Sequence, residues 1–218
     1  MSAAQHVLTY FPIPARAFVT RVCLGAARIP YKVVPVMGRA ALAALRGPSG
    51  SSAAVPLGQL PVLTLPSGEV ITQSGAHMRY AGKKAGLYPR EDDEAALRID
   101  ELLGVVEDAI SKVPRGGEAE ALKAARALYA KEALPLYLRY LSKKLGGGPF
   151  FAGSKLSIGD LAVFSLTDAL DADAWDHVDG AAVLAAFPAL HAHHAALAAH
   201  PLVVQHGHLP ARKAPRAS

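Results

Sequence analysis

The stretch from Gly58 to Pro89 (GQLPVLTLPSGEVITQSGAHMRYAGKKAGLYP) constrains the fold of this chain more than any other. A turn at Gly58-Gln59-Leu60-Pro61 runs into the apolar strand Val62-Leu63-Thr64-Leu65. Pro66-Ser67-Gly68 then turns the chain back, and Val70-Ile71 begins the return strand of a hairpin. Gln73-Ser74 stops that strand, and Ser74 is expected to cap a helix whose apolar side carries Met78, Ala81 and Ala85. A hairpin that feeds a helix N-terminus leaves backbone N–H groups pointing outward, a ready anion site. Pro61 has no N–H for a ladder and belongs at a strand start or a special turn. A cis bond there would turn the N–H and C=O of Leu60 outward, towards an extended peptide. Gln73 and Ser74 offer donors where the helix dipole favours a carboxylate. The stretch is therefore either a holder for a small acidic peptide or an ordinary hairpin with a proline start and a serine cap.

Upstream, His6 to Phe11 reads as a first strand, broken by Pro12-Ile13-Pro14 and followed by a helix from Ala15 to Arg28. Phe18, Val22 and Ile29 fall near one stripe of that helix, with Val19 and Ala26 beside it. Tyr10 ends the strand close to the helix start. A phenol there either is a partly buried aromatic or donates its O–H to a thiolate, lowering the thiol's pKa. In the second case it activates a nucleophile carried by the substrate, and Arg16, six residues on, is placed to polarise it. Cys23 has no C-x-x-C partner, lies between Val22 and Leu24, and reads as a structural core thiol. Tyr31 to Val36 is a second strand, parallel to the first after a helical crossover. A short helix over residues 39–47 and a loop through Gly47-Pro48-Ser49-Gly50-Ser51-Ser52 lead back to the hairpin.

Beyond the linker at residues 87–93 the pattern is wholly helical. Ile99, Leu102, Leu103, Val106, Ile110 and Val113 recur at helical spacing and describe one core-facing stripe. At 100° per residue Asp108 lies roughly 180° away, near Glu101 and Gly104, facing solvent or another molecule. The next helix, from about Glu118 to Leu145, contains Pro135, so a kink or break near Glu132 is expected. Gly146-Gly147-Gly148-Pro149 ends it. Ser157-Ile158-Gly159-Asp160 ahead of an apolar run is a capping-box pattern, structural rather than chemical. His191, His193, His194, His200, His206 and His208 fit no tight zinc spacing, have no cysteine partners, and read as surface or packing histidines, so no metal is expected.

A length of 218 residues allows one large or two small domains, and 51% apolar with 19% charged residues suits a folded chain. The absence of an 18-residue apolar run argues against a membrane partner, and the first residues lack the pattern of a secretory signal. A single cysteine permits no internal disulfide, consistent with a reducing compartment such as the cytoplasm. The net charge of +5 is scattered, clustering only at Arg212, Lys213 and Arg216, which argues against a nucleic-acid partner.

The ordered set Gly58-x-Leu60-Pro61-Val62-Leu63, Gln73-Ser74, Arg79-Tyr80 and Gly86-Leu87-Tyr88-Pro89 resembles the glutathione-binding half of cytosolic glutathione S-transferases. The wording is closest to the sigma-like, Tyr-type classes. Thr9-Tyr10-Phe11 with Ala15-Arg16-Ala17 is similar to the family's Tyr-Phe-x-x-x-x-Arg-Ala segment, although Pro12-Ile13-Pro14 stands where relatives usually carry glycine and polar residues. Gly104-Val105-Val106-Glu107-Asp108 resembles the family's fourth helix. The resemblance implies an α/β thioredoxin-like N-terminal domain (1–86), a linker (87–93) and an all-α C-terminal helical bundle with a flexible tail (94–218). It implies Tyr10 as the catalytic tyrosine and Arg16 as its support. Glutathione would be held by Tyr10, Arg46, Gln59, Leu60, cis-Pro61, Gln73 and Ser74, and by Asp108 from the partner subunit of a homodimer. Relatives place a Trp and a Lys near residue 46; Arg46 stands in for the Lys, and no Trp is present there. The implied activity conjugates the glutathione thiolate to a small apolar electrophile without metal or redox cofactor. The alternatives are a non-catalytic protein of the same fold, a prostaglandin D synthase-like isomerase and a glutathione-dependent peroxidase.

Overall fold

The computed structural model describes residues 5–207. Strand β1 (His6–Tyr10) alternates buried and half-buried residues, with His6, Leu8 and Tyr10 on the buried side. After a 3-10 turn at Ala15–Ala17, helix α1 (Phe18–Ala26) carries the chain across to β2 (Tyr31–Pro35). The N-cap of α1 is Ala17, which offers no side-chain bond. Its burial of Phe18, Val19, Val22, Cys23 and Leu24 holds it instead. Each large apolar side chain so buried is worth about 1.5–3 kcal/mol, against roughly 1 kcal/mol for a cap. Helix α2 (Gly38–Arg46) precedes the hairpin β3 (Val62–Thr64) and β4 (Val70–Ile71), which runs into α3 (Ser74–Ala85).

The four strands form one sheet in the order β2-β1-β3-β4. β1 and β2 are parallel from His6↔Tyr31 to Tyr10↔Pro35. β3 is antiparallel to β1 through Val7↔Thr64 and Thr9↔Val62, and β4 is antiparallel to β3 through Leu63↔Ile71. α1 and α3 pack on each other. Both α3 and β1 contribute to a clamp in which His6 Nε2 and the Tyr80 hydroxyl lie 2.9 Å apart. Leu8, Phe18, Val22, Leu24, Leu63 and Ala81 are the buried centre of this layer.

The helical part begins with α4 (Asp93–Ser111), capped by Asp92 accepting from the Ala95 N–H at 2.9 Å. Its buried stripe is Ile99, Leu102, Leu103, Val106 and Ala109; Ile110, expected in that stripe, is only half-buried. The long second helix breaks where the proline predicts. α5 (Ala119–Leu128) passes through a π turn at Tyr129–Ala133 into α6 (Leu134–Leu145). Pro135 has no N–H for the ordinary ladder, and the Leu134 N–H reaches back five residues to the Tyr129 carbonyl. Gly146, at φ 59°, ends α6.

α7 (Ile158–Asp171) is buried on every side from Ile158 to Thr167, as the central helix of a bundle must be, and packs against α4. Its capping box forms as expected: Ser157 and Asp160 exchange side-chain and backbone bonds. α8 (Gly180–Ala185), α9 (Pro188–Ala198) and α10 (Pro201–His206) complete the described residues. A Cβ on Gly180 would land on the Leu170 carbonyl oxygen and within 2.8 Å of its Cα.

The contacts divide the chain into two units. Among the described residues, one comprises residues 5–88 and 205–207; the other is Pro89–Val204. In the first, His206 lies over Gly25 of α1, where a Cβ would come within 2.5 Å of its Nδ1. The expected tail at residues 211–218, its basic cluster, and His208 lie outside the described residues.

Candidate functional site

Three strand ends converge at one end of the sheet. Tyr10 is the last residue of β1, and the pairing Thr9↔Val62 sets it beside the entry to β3, where the Leu60–Pro61 bond is cis. Leu63↔Ile71 in turn brings the exit of β4, and so Gln73-Ser74, to the same end. The sheet thus gathers Tyr10, Leu60, Pro61, Gln73 and Ser74. Tyr10 is only 6% exposed; its ring lies 5.6 Å from that of Phe11, and its carbonyl accepts from the Val36 N–H at 2.9 Å. Gln59 is exposed and Leu60 half-buried.

The loop before Pro61 is fixed from α2. Arg46 Nε donates to the Gly58 carbonyl at 2.6 Å. Gly58 has φ 60°, and a Cβ there would strike the Gly50 carbonyl oxygen, so glycine is required. Arg46 therefore shapes the turn that carries Gln59 and Leu60. Arg16 sits half-buried in the 3-10 turn that follows the Pro12–Pro14 loop.

At the α3 terminus the structure corrects the expected cap. Gln73, at φ 69°, is the N-cap residue, and Ser74 is the first residue of the helix. No side chain caps it; the Gln73 carbonyl accepts from the N–H groups of Ala76 (3.0 Å) and His77 (3.3 Å). The chain enters straight from a strand, and its reversal falls on Gln73 rather than on the extended backbone a serine cap needs. The buried face of α3 is His77, Ala81 and Gly82, while Met78 and Ala85 are half-buried.

His77, which sequence reasoning passed over, is fully buried. Its Nε2 lies 2.8 Å from the Ile71 carbonyl and is therefore the protonated nitrogen, while Nδ1 has no hydrogen-bond partner among the described residues. Burial pushes the His77 pKa down, opposed by the bond to Ile71. A stripe drawn through positions 77 and 81, rather than 78 and 81, would have found it.

Asp108 is exposed on α4, as its helical angle predicts, and pairs with Lys112 Nζ at 3.2 Å. Lys112 also donates to the Tyr137 hydroxyl at 2.6 Å, tying α4 to α6. Asp108 belongs to the helical unit, not to the unit that carries Tyr10. Cys23 is fully buried and its thiol is pushed up to about 12 by desolvation, the state of a core thiol rather than a nucleophile.

His193 and His194 are buried within the helical unit. His193 Nε2 lies 3.2 Å from Asp160, and His194 stacks on Phe164 at 5.1 Å with Nδ1 3.2 Å from the Thr167 hydroxyl. Among the described residues no group of His, Cys, Asp and Glu is arranged to hold a metal ion, and no helix is long and apolar enough to cross a membrane. A cleft of about 280 Å³ opens in the helical unit beside Ile99, Leu102, Lys144 and Phe151. None of the expected site residues lines it; its polar lining is Arg98 and the ion pair between Lys144 Nζ and Glu101 at 2.7 Å.

A family model described as Glutathione S-transferase, C-terminal domain, matches residues 107–206. The chain is 32% identical over 206 residues to Glutathione S-transferase P 1 of Xenopus laevis, covering 92% of this chain and 91% of that protein. Its fold matches that of prostaglandin synthase D of Nilaparvata lugens with a TM-score of 0.76 at 24% identity, covering 92% of this chain and 95% of that one. A glutathione transferase homolog from Sulfitobacter, solved with bound glutathione, gives a TM-score of 0.73 at 22% identity over 92% of this chain and 96% of its own.

Proposed function

The chain belongs to the glutathione S-transferase family, and on that premise we propose that Tyr10 holds the glutathione sulfur as a thiolate for attack on an apolar electrophile. The activity is glutathione transfer, with glutathione as co-substrate. The Tyr10 hydroxyl keeps its proton and donates a hydrogen bond to the sulfur, while the thiol proton passes to solvent. This bond stabilises the anion and lowers the thiol pKa from its ordinary value near ~8.5. The sulfur then forms a C–S bond to the electrophilic carbon, and a leaving group such as chloride departs with the electron pair.

The observation that carries this reading is the shared end of β1, β3 and β4, where Tyr10, Leu60-Pro61 and Gln73-Ser74 lie together. Leu60 would pair with the peptide backbone of glutathione. Gln73 and Ser74, at the positive end of α3, would take the γ-glutamyl carboxylate. Arg46 and Gln59 border the same loop, and Arg16 supports the Tyr10 phenol. Asp108 would reach the glutathione amine of the neighbouring subunit in a cytoplasmic homodimer of sigma-like class.

The test is conjugation of a chlorinated nitroaromatic by wild type and Tyr10→Phe across pH. At pH 6.5 the variant should lose about 10- to 100-fold in kcat/KM, the equivalent of one to two pKa units at ~1.4 kcal/mol each. The deficit should shrink towards pH 9, where the thiol ionises without help. Equal rates at pH 6.5, or glutathione binding with no conjugation by wild type, would overturn the catalytic reading in favour of a binding protein of the same fold.

A further inference from the structure

His77 is not among the residues assigned above to glutathione, yet it spans the turn that presents Gln73 and Ser74. Its side chain and its backbone grip opposite sides of that turn. Nε2 donates to the Ile71 carbonyl at 2.8 Å, at the end of β4. Its backbone N–H donates to the Gln73 carbonyl at 3.3 Å, beside the 3.0 Å bond from Ala76. Between those two carbonyls the chain passes through Gln73 at φ 69°, a conformation that non-glycine residues adopt only when their surroundings impose it.

The imidazole is fully buried in the face of α3 that meets the core, beside Ala81 and Gly82. An apolar side chain would fill that volume without leaving a second nitrogen, Nδ1, buried and unpartnered. A buried histidine with one bare nitrogen is explained by the bond its other nitrogen makes: His193, whose Nδ1 is likewise unpartnered among the described residues, uses Nε2 on the buried Asp160. The bond His77 makes is the one that fixes the strand exit relative to the first turn of α3. We propose that His77 is a positioning residue for glutathione: it locks the Ile71–Gln73 reversal so that the donors at Gln73 and Ser74 are preset for the tripeptide's carboxylate. The inference rests on the reading that Gln73 and Ser74 take that carboxylate.

The experiment measures glutathione Kd by calorimetry, and kcat at saturating glutathione, for wild type, His77→Leu, His77→Gln, Gln73→Ala and Ser74→Ala. Leu removes the donor and keeps the volume; Gln carries an amide N–H at a similar reach. The expected result is a Kd about tenfold weaker in His77→Leu, a smaller change in kcat, and recovery of most of that loss in His77→Gln. A purely packing role would favour Leu over Gln instead. If His77→Leu does not fold, His77→Asn, whose amide is too short for Ile71, takes its place against His77→Gln, and equal Kd values for the two would overturn the inference. A weaker Kd in Gln73→Ala and Ser74→Ala with an unchanged Kd in His77→Leu overturns the inference alone. An unchanged Kd in Gln73→Ala and Ser74→Ala overturns the carboxylate reading and the inference with it.

Discussion

Two buried polar residues, Asp160 and His77, meet the same physical demand with opposite completeness. Asp160 is fully buried and accepts from four donors: the Ser157 N–H (2.8 Å) and hydroxyl (2.7 Å), the Phe151 N–H (2.8 Å), and His193 Nε2 (3.2 Å). Its oxygens all find donors, which offsets the cost of burying them. His77 satisfies one nitrogen and leaves the other bare. Protonating it would put a charge and an unpaired N–H into the interior, which is why its pKa is lowered. The unfolded chain then binds a proton that the folded chain refuses, at pH values below the ordinary histidine value of 6.5. Stability contributed by a neutral His77 is complete above pH 6.5 and is lost as the pH falls from there towards the lowered folded-state value. His6, lowered by burial and by Lys84, acts in the same direction. Denaturant midpoints measured between pH 7.5 and 5.5 should therefore fall on acidification. His77→Gln should show a shallower fall, and an identical pH dependence in the two proteins would refute the assignment.

Among the elements, the junction of α7 and α8 leaves no room for a side chain. Gly180 starts α8 with its N–H on Asp173 Oδ1 at 2.9 Å, and its Cα lies against the backbone of Leu170. A methyl group has nowhere to go, because the opposing atoms are main chain. Gly180→Ala should cost about 1–3 kcal/mol of stability, read as a lower denaturant midpoint with an unchanged slope. The same elements separate what a reader of the sequence sees from what is hidden. The Ser157–Asp160 box was legible because both bonds close within three residues. The break before Pro135 was legible because a missing N–H is a property of that residue alone. The additional partners of Asp160 were not legible: Phe151 and His193 lie nine and 33 residues away and meet it only through the fold. The α3 cap was misread for a related reason. Ser74 has the local chemistry of a cap, but the exit of β4 decides which residue reverses the chain. Tyr10, Pro61 and Gln73 could each be picked out in sequence, whereas their convergence depends on register across three strands.

For the whole molecule, the outward side of the helical unit bears on assembly. Leu97 on α4 is 68% exposed and Leu136 on α6 is 60% exposed, large apolar side chains on the same two helices that Lys112 and Tyr137 tie together. Asp108 lies on the exposed side of α4 as well. If the proposed homodimer covers this side and shares Asp108, sedimentation at micromolar concentration should give the mass of two chains. Asp108→Ala should weaken glutathione binding about tenfold, the loss of one charge-assisted hydrogen bond. A mass of one chain in a protein that still binds glutathione at full affinity would remove Asp108 from the site.

The ring of His206 over Gly25 has a consequence for how the protein comes into being. A ribosome delivers the sheet and its helices first, then every residue of the helical unit, and only afterwards the segment that closes over α1. The half that emerges earliest is thus the last to be finished, and the order of translation makes its completion wait for the synthesis of its neighbour.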